Sequence, residues 1–146
     1  MSKIQNLIIF LIIILALSQP AQAMQYRLNF LLSGIIGLGI SAAMPFDDFS
    51  NIEAGIMYAI DPDTPIFFDI NYKRYLGEKG IEQRGFAKIG YQRIASRGRQ
   101  LDFIKIAGGT SNPFDWGQKI EASLICAYYL DKNMFIPIGI ETSYKM

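Results

Sequence analysis

The chain has 146 residues, of which 51% are hydrophobic and 18% charged, with 14 basic and 13 acidic side chains and no histidine. This length suits one domain. The even charge balance excludes a nucleic-acid binder that works through a basic surface, and the apolar content excludes a disordered segment. Without histidine, and with a single cysteine, Ser-His-Asp and Cys-His catalysis, zinc cages and intramolecular disulfides are also excluded.

Residues 1–23 have the pattern of a secretory signal peptide. Lys3 precedes an apolar run over 7–17, and Ala21-Gln22-Ala23 supplies a small-x-small cleavage site. The run is too short to cross a bilayer as a helix, which needs about 20 residues. An uncleaved N-terminal anchor is the alternative, but Pro20 breaks the helix before the polar flank. We therefore predict cleavage after Ala23 and a single domain over 24–146.

The first segment of this domain, residues 26–44, alternates with a period of two. A strand places alternate residues on opposite faces, so the segment is predicted to be β-structure with one apolar and one small or polar face. Two arrangements fit: one long strand bent at its glycines, or two strands joined by a hairpin at Ser33-Gly34. The odd positions are small or polar at most places, and the even ones are apolar: Tyr26, Leu28, Phe30, Leu32, Ile36, Leu38, Ile40, Ala42 and Met44.

The same alternation continues to the end of the chain, interrupted by turn-forming clusters at 61–65, 77–80, 96–99 and 131–133. The spacing is that of an antiparallel meander, because it leaves no room for crossover helices. The pattern slips at 100–108, where we expect a β-bulge near Phe103. The even residues of 116–146 are predicted to form one apolar face along the last two strands. The first segment decides the count, which is seven strands without the hairpin and eight with it.

Composition indicates that the polar face lies inside. It combines many small residues with charges that nearly cancel, as the narrow lumen of an eight-stranded barrel requires. Tyrosines near the strand ends are typical of membrane interfaces. The charged residues assigned to the lumen are Glu53, Asp69, Asp102, Glu121 and Glu141 with Arg27, Lys73, Arg84, Lys88, Lys105 and Lys119. Within this set we predict a structural charge network of Glu53, Asp69, Lys88, Lys119, Glu121 and Glu141 that fills the lumen.

The chain resembles the small outer-membrane β-barrels of Gram-negative bacteria, the eight-stranded group that includes the OmpX-like and opacity-type proteins. The resemblance is architectural, and its most specific part is the last strand, where Ile138, Ile140 and Tyr144 alternate as in that group. Met146 stands where these proteins usually have phenylalanine. The resemblance implies an antiparallel up-and-down transmembrane β-barrel in the bacterial outer membrane, with both termini in the periplasm. Its implied partners are outer-membrane lipid and the barrel-assembly machinery, which reads the C-terminal strand.

No residue pattern predicts catalysis, a cofactor or a metal. Glu121 and Glu141 are of the type that performs acid and base chemistry, and Lys119 shares a strand face with Ser123, but ion pairing is the simpler role for buried charges. Cys126 lies on the apolar face, where a small apolar residue is expected. Barrel enzymes of similar size that modify lipid A rely on a catalytic histidine, which this chain lacks.

We therefore predict a non-enzymatic outer-membrane barrel with a structural or surface-interaction role, in which the connections at 45–51, 77–83 and 110–115 carry any recognition. The alternative from another class is a secreted or periplasmic lipocalin-like barrel that binds a small apolar ligand. A narrow pore is disfavoured, because side chains fill the lumen of an eight-stranded barrel.

Overall fold

The computed structural model describes residues 24–33, 36–60, 63, 65–78, 84–112 and 120–146, with the backbone alone at 137 and 138. The predicted signal peptide lies outside the described residues. Within these ranges, no helix is long and apolar enough to cross a bilayer. The regular elements described there are all β-strands, as the period of two predicts.

Eight strands form one closed antiparallel sheet. The first four are β1 (Gln25–Leu32), β2 (Ile36–Pro45), β3 (Ser50–Ile60) and β4 (Ile66–Tyr75). The last four are β5 (Gly85–Ser96), β6 (Arg99–Ser111), β7 (Ile120–Tyr129) and β8 (Met134–Lys145). Each strand pairs with the next along the chain, and β8 pairs back onto β1. The up-and-down barrel of eight strands is thereby confirmed.

The segment predicted as either one strand or two is a hairpin. Strand β1 ends at Leu32, and β2 begins at Ile36 and runs back along it, from Leu32↔Ile36 to Gln25↔Ala43. The single bent strand is therefore wrong, and the hairpin near Ser33 is confirmed. Gly39 suits this closely paired region, because a Cβ atom there would collide with the backbone of β3 at Ile56.

The barrel has two ends, which we name by their connections. At the terminal end, β1 begins, β8 ends, and the connections are 46–49, 76–84 and 112–119. At the hairpin end, the connections are 33–35, 61–65, 97–98 and 130–133. The three connections predicted to carry recognition all lie at the terminal end, although 79–83 and 113–119 fall outside the described residues.

The predicted bulge near Phe103 is wrong. Strands β5 and β6 pair without a break from Gly85↔Thr110 to Ser96↔Arg99. The pattern slips because Phe103 points inward, where its ring stacks on Tyr129 with the centroids 4.9 Å apart. An apolar residue on the inner face looks like a change of register when only polar residues are expected there.

The β-bulge lies instead in β8. The β7–β8 register shifts between Ile125, which pairs with Gly139, and Cys126, which pairs with Pro137. Gly139 has φ +141°, and a Cβ atom there would collide with the carbonyl oxygen of Leu32, so the bend requires glycine. The extra residue reverses the faces of the first part of β8. Ile136, predicted on the outer apolar face, therefore pairs with the fully buried Ala127 on the inner one.

Elsewhere, the alternation places large apolar side chains on the outside of the barrel. Leu28, Leu38 and Leu124 are 49%, 52% and 69% exposed, whereas Arg27, next to Leu28 in β1, is fully buried. A water-soluble barrel has the opposite arrangement, with apolar side chains buried and charges exposed. Tyrosines mark both rims of this outer surface: Tyr26, Tyr72 and Tyr144 toward the terminal end, and Tyr58, Tyr91 and Tyr128 toward the hairpin end.

Candidate functional site

The inner faces of the strands carry a group of buried charges, which we call the lumen network. Alternate residues of a strand share a face, so each strand contributes its charges at every second position. The group holds four cations and four anions: Arg27, Lys73, Lys88 and Lys105 with Glu53, Asp69, Glu121 and Glu141. The opposite charges compensate one another, and the part-exposed Lys145 is a further cation beside Glu121.

Two carboxylates organise the part of the lumen network nearest the terminal end. The Nη1 atom of Arg27 donates to Oε1 of Glu53 at 2.7 Å and to Oε2 of Glu121 at 2.5 Å. Lys73 hydrogen-bonds to Glu121, and its Nζ atom lies 3.3 Å from Glu53. Each carboxylate is thus held by at least two cations from different strands, and the Nζ atom of Lys145 also lies 3.4 Å from Oε1 of Glu121. Such charge-assisted bonds are the strongest that side chains form, and they are strengthened by the exclusion of water.

A second part of the lumen network is centred on Glu141, near the middle of the barrel. Its two oxygens accept hydrogen bonds from Lys88 and Lys105, both at 2.7 Å. Lys105 also donates to Asp69 at 2.9 Å. The Nζ atom of Lys88 lies 3.5 Å from Glu53, which joins the two parts into one continuous set of ion pairs.

Aromatic groups complete the coordination of the buried charges. The hydroxyl of Tyr75 donates to Oε1 of Glu121 at 2.6 Å. The ammonium of Lys73 lies 4.1 Å from the centroid of the Phe86 ring, a cation–π contact. Tyr75 is a tyrosine near a strand end that lies on the inner face and not on the outer surface, because it shares the parity of Lys73 in β4. The alternation already contained that signal.

Of the six residues predicted for the charge network, five lie in it: Glu53, Asp69, Lys88, Glu121 and Glu141. Lys119 lies outside the described residues. Asp102, also assigned to the lumen, was placed wrongly. It is on the outer face, where it accepts hydrogen bonds from Arg93 at 2.7 Å and from the Tyr91 hydroxyl at 2.5 Å. The inward orientation of Phe103 puts its neighbour outside.

The other half of the lumen, toward the hairpin end, is apolar. We call its buried side chains the apolar cluster, with Ile94 packed against it. Such residues pack by shape and volume and need no polar partner. Members of the cluster come from five strands: Leu31, Met57, Ala59, Phe67, Ala107 and Ile125.

Two of the side chains considered for catalysis lie within the lumen network. The carboxylates considered for acid and base work, Glu121 and Glu141, belong to different parts of the network, and each is already bonded to two lysine or arginine side chains. Ser123 is buried, and Lys119, which the sequence pattern places on the same strand face, is not among the described residues. Within the described ranges, no group of three or more His, Cys, Asp or Glu side chains is placed to hold a metal ion.

Comparison with known proteins identifies the fold. No protein-family model matches the chain, and no curated protein matches its sequence. Among solved structures, it is similar to the N-terminal β-barrel domain of OprF from Pseudomonas aeruginosa, with a TM-score of 0.68 and 14% identity, over 84% of this chain and 96% of that one. The chain therefore has the fold of an outer-membrane β-barrel domain. Nothing places it specifically in the OmpX-like group.

Proposed function

We propose that this protein is a non-enzymatic barrel of the bacterial outer membrane, with a lumen filled by side chains and a structural or interaction role. The observation that carries the proposal is the inversion of the usual burial pattern. Leu124 is 69% exposed, while Lys105, on the neighbouring strand, is 1% exposed. Exposure of a continuous apolar surface to water is unfavourable by roughly 25 cal/mol per Å², and contact with lipid removes that penalty.

The alternative, a secreted or periplasmic barrel that binds a small apolar ligand, has less support. A lipocalin-like protein needs an apolar cavity inside and a polar surface outside. Here the middle of the lumen holds Lys105, Glu141 and Lys88, and the exposed surface is the apolar one. An apolar ligand in this lumen would desolvate charges without pairing them.

Fractionation of cells that produce the protein tests the two against each other. We expect it in the outer-membrane fraction, soluble only in detergent, with N-terminal sequencing beginning at Met24. Release by osmotic shock, without detergent, would contradict membrane insertion and favour the periplasmic barrel. A retained Met1 in the membrane fraction would show that the first segment is an anchor.

A filled lumen also predicts that the barrel does not conduct ions. In planar bilayers we expect no steady conductance from the wild-type protein, because the apolar cluster blocks the hairpin half. A double variant, Met57→Ala with Phe67→Ala, removes two of its larger members and provides the comparison. Steady wild-type conductance equal to that of the double variant would show that the lumen is open.

Assembly is proposed to depend on the C-terminal strand. Ile140 and Tyr144 are each 45% exposed on the outer face of β8, and the side chain of Ile138 lies outside the described part of the structure. We expect Tyr144→Ala to lower the yield of folded barrel in cells while leaving refolding in detergent intact, because only the cellular route uses the assembly machinery. Equal losses in both would indicate a folding defect alone.

The orientation of the barrel in the membrane determines on which side its connections could contact a partner. With the termini in the periplasm, as in the barrels that this chain resembles, the connections at 46–49, 76–84 and 112–119 face the periplasm. The short hairpins then face outward. The proposed interaction role is therefore assigned to the periplasmic mouth. A protease added to intact cells should leave the terminal-end connections uncut.

A further inference from the structure

A cavity of about 340 Å³ opens at the hairpin end of the barrel, above the apolar cluster. Its volume is in the range of small-molecule binding sites. It lies at the opposite end from the connections to which the interaction role above is assigned, and that role does not use it. The lining residues come from β5, β6 and the connections at 61–65 and 97–98: Asp63, Ile94, Ser96, Arg97, Arg99 and Leu101.

The floor of the cavity is apolar and belongs to the inner face of the barrel. Ile94 pairs with Leu101 across β5 and β6, and each lies two residues beyond a buried side chain, Gln92 or Phe103. Alternate residues of a strand share a face, so Ile94 and Leu101 both point inward. Ile94 packs against the apolar cluster, yet both side chains remain part-exposed. This apolar surface therefore lies away from lipid and is not covered by the packed residues beneath it.

The walls of the cavity are two hairpins that are fixed to each other. Ser96 pairs with Arg99, so the connection between β5 and β6 has only two residues. These residues, Arg97 and Gly98, both have positive φ, as in the tight turns that match the twist of a hairpin. The Ser96 hydroxyl donates to the backbone carbonyl of Asp63 at 3.1 Å, and the Arg97 guanidinium lies 2.8 Å from Oδ1 of Asp63. These contacts hold the cavity in a defined shape.

Arg99 places a positive charge at the rim of the cavity. Its side chain is exposed, and it lies on the inner parity of β6. Within the described part of the chain, no carboxylate lies within salt-bridge distance of its guanidinium. The carboxylate of Asp63 is paired with Arg97, and that of Asp102 lies on the outer face with Arg93. The Arg99 guanidinium is therefore a cation that both solvent and a ligand can reach.

We propose that this hairpin-mouth cavity binds a small amphipathic anion, a carboxylate with a short hydrocarbon chain. The carboxylate accepts hydrogen bonds from the Arg99 guanidinium, and the chain covers Ile94 and Leu101. A carboxylate without a chain leaves the apolar floor uncovered, and a chain with an ammonium group is repelled by Arg99. The chain stops at Ile94, because the packed apolar cluster closes the lumen beneath it.

Titration of the detergent-folded protein with hexanoate tests the proposal, followed by NMR of the methyl groups of Ile94 and Leu101. We expect both signals to shift saturably at millimolar concentration. Acetate lacks the chain and hexylammonium reverses the charge, so each should need concentrations about tenfold higher. Acetate binding as strongly as hexanoate would make this a simple anion site, and hexylammonium binding as strongly would make it an apolar one. Either result, or no shift at all, would overturn the proposal.

The methyl groups of Leu124 are the internal control for hexanoate that enters the micelle. This side chain is 69% exposed on the outer face, where detergent covers the barrel. Its signals should not follow the saturation curve of Ile94. If they do, hexanoate acts through the detergent and the cavity is not its site.

Variants locate the charge that binds the carboxylate. Arg99→Gln should weaken hexanoate binding by about tenfold, the effect of one charge-assisted interaction, and leave the binding of hexanol unchanged. Lys132→Gln, the same loss of charge at an exposed position of the same end, is the matched control and should leave hexanoate binding unchanged. Both substituted side chains are exposed, so we expect both variants to fold. Unchanged binding in Arg99→Gln, or an equal loss in Lys132→Gln, would contradict the proposed site.

Discussion

In the half of the lumen next to the terminal end, the inner faces of the strands carry ion pairs, whereas in the half next to the hairpin end they carry apolar side chains. Glu121 in the first half is bonded to Arg27, Lys73 and Tyr75, and Arg27 and Lys73 share only one other carboxylate, Glu53. Ile125 in the second half, on the same face of the same strand, only fills space. A narrow barrel can thus close its interior either by charge matching or by volume, and the two respond differently to substitution.

The largest effect is expected where a charge is removed without a change of shape. Glu121→Gln leaves Arg27 and Lys73 short of a carboxylate in a buried site, which should destabilise the barrel by about 3 to 5 kcal/mol. The measurement is denaturant unfolding in micelles, followed by the gel mobility of the folded and heat-unfolded forms. Glu78→Gln, the same change at an exposed position, is the control and should have no effect.

Adding Lys73→Met to Glu121→Gln sharpens this result. Because the second substitution removes one of the cations that the first left unpaired, the double variant should lose less stability than the sum of the two single variants. Strict additivity would mean that Glu121 and Lys73 contribute to the stability of the barrel independently of each other. Intact stability in Glu121→Gln with loss of a measured activity on envelope lipids would instead make Glu121 a catalyst.

The next effect concerns the outer face rather than the lumen. Leu124 lies between the buried residues Ser123 and Ile125 and points outward. Leu124→Arg should cost about 2 to 4 kcal/mol if this position lies near the bilayer midplane, and a polar change at Ser123, such as Ser123→Thr, should cost less. The test compares refolding yields and unfolding free energies in lipid vesicles. Equal values for the two variants would mean that the outer apolar surface is not in lipid.

A milder effect is expected in the apolar half of the lumen. Ile125→Val removes one buried methylene group from a cluster that has no polar partners to lose, so the expected cost is about 0.5 to 1.5 kcal/mol. Denaturant unfolding in micelles measures it. A loss as large as that of Glu121→Gln would erase the proposed distinction between closure by volume and closure by charge.

The sequence predicted the faces of the strands better than their pairing. A period of two is local, and it placed Glu53, Glu121 and Glu141 inside correctly. The partners of Arg27, which lie 26 and 94 residues away, depend on the register of the closed barrel and leave no local signal. At the bulge, the carbonyl oxygen of Leu32 on β1 leaves no room for a Cβ atom at Gly139, a constraint that exists only after closure. Phe103 interrupts the alternation because one half of the lumen is apolar, and nothing local in the sequence shows where that half begins.

The smallest effect is expected for an ion pair outside the lumen, and it isolates the contribution of burial. Asp63 and Arg97 at the hairpin end lie 2.8 Å apart with side chains 56% and 71% exposed, whereas Asp69 and Lys105 lie 2.9 Å apart in the lumen with side chains 16% and 1% exposed. The distances are nearly equal, so the contrast in burial is the main difference between the two pairs. Water and salt screen the outer pair, and Asp63→Asn should cost less than about 1 kcal/mol, with the cost falling as salt is added. Asp69→Asn should cost more, and that cost should vary little with salt, because Lys105 is out of reach of ions.

Unfolding of both variants at low and high salt measures the contrast. A salt-dependent loss for Asp69→Asn as large as that for Asp63→Asn would mean that solvent reaches the middle of the lumen and that the apolar cluster does not close it.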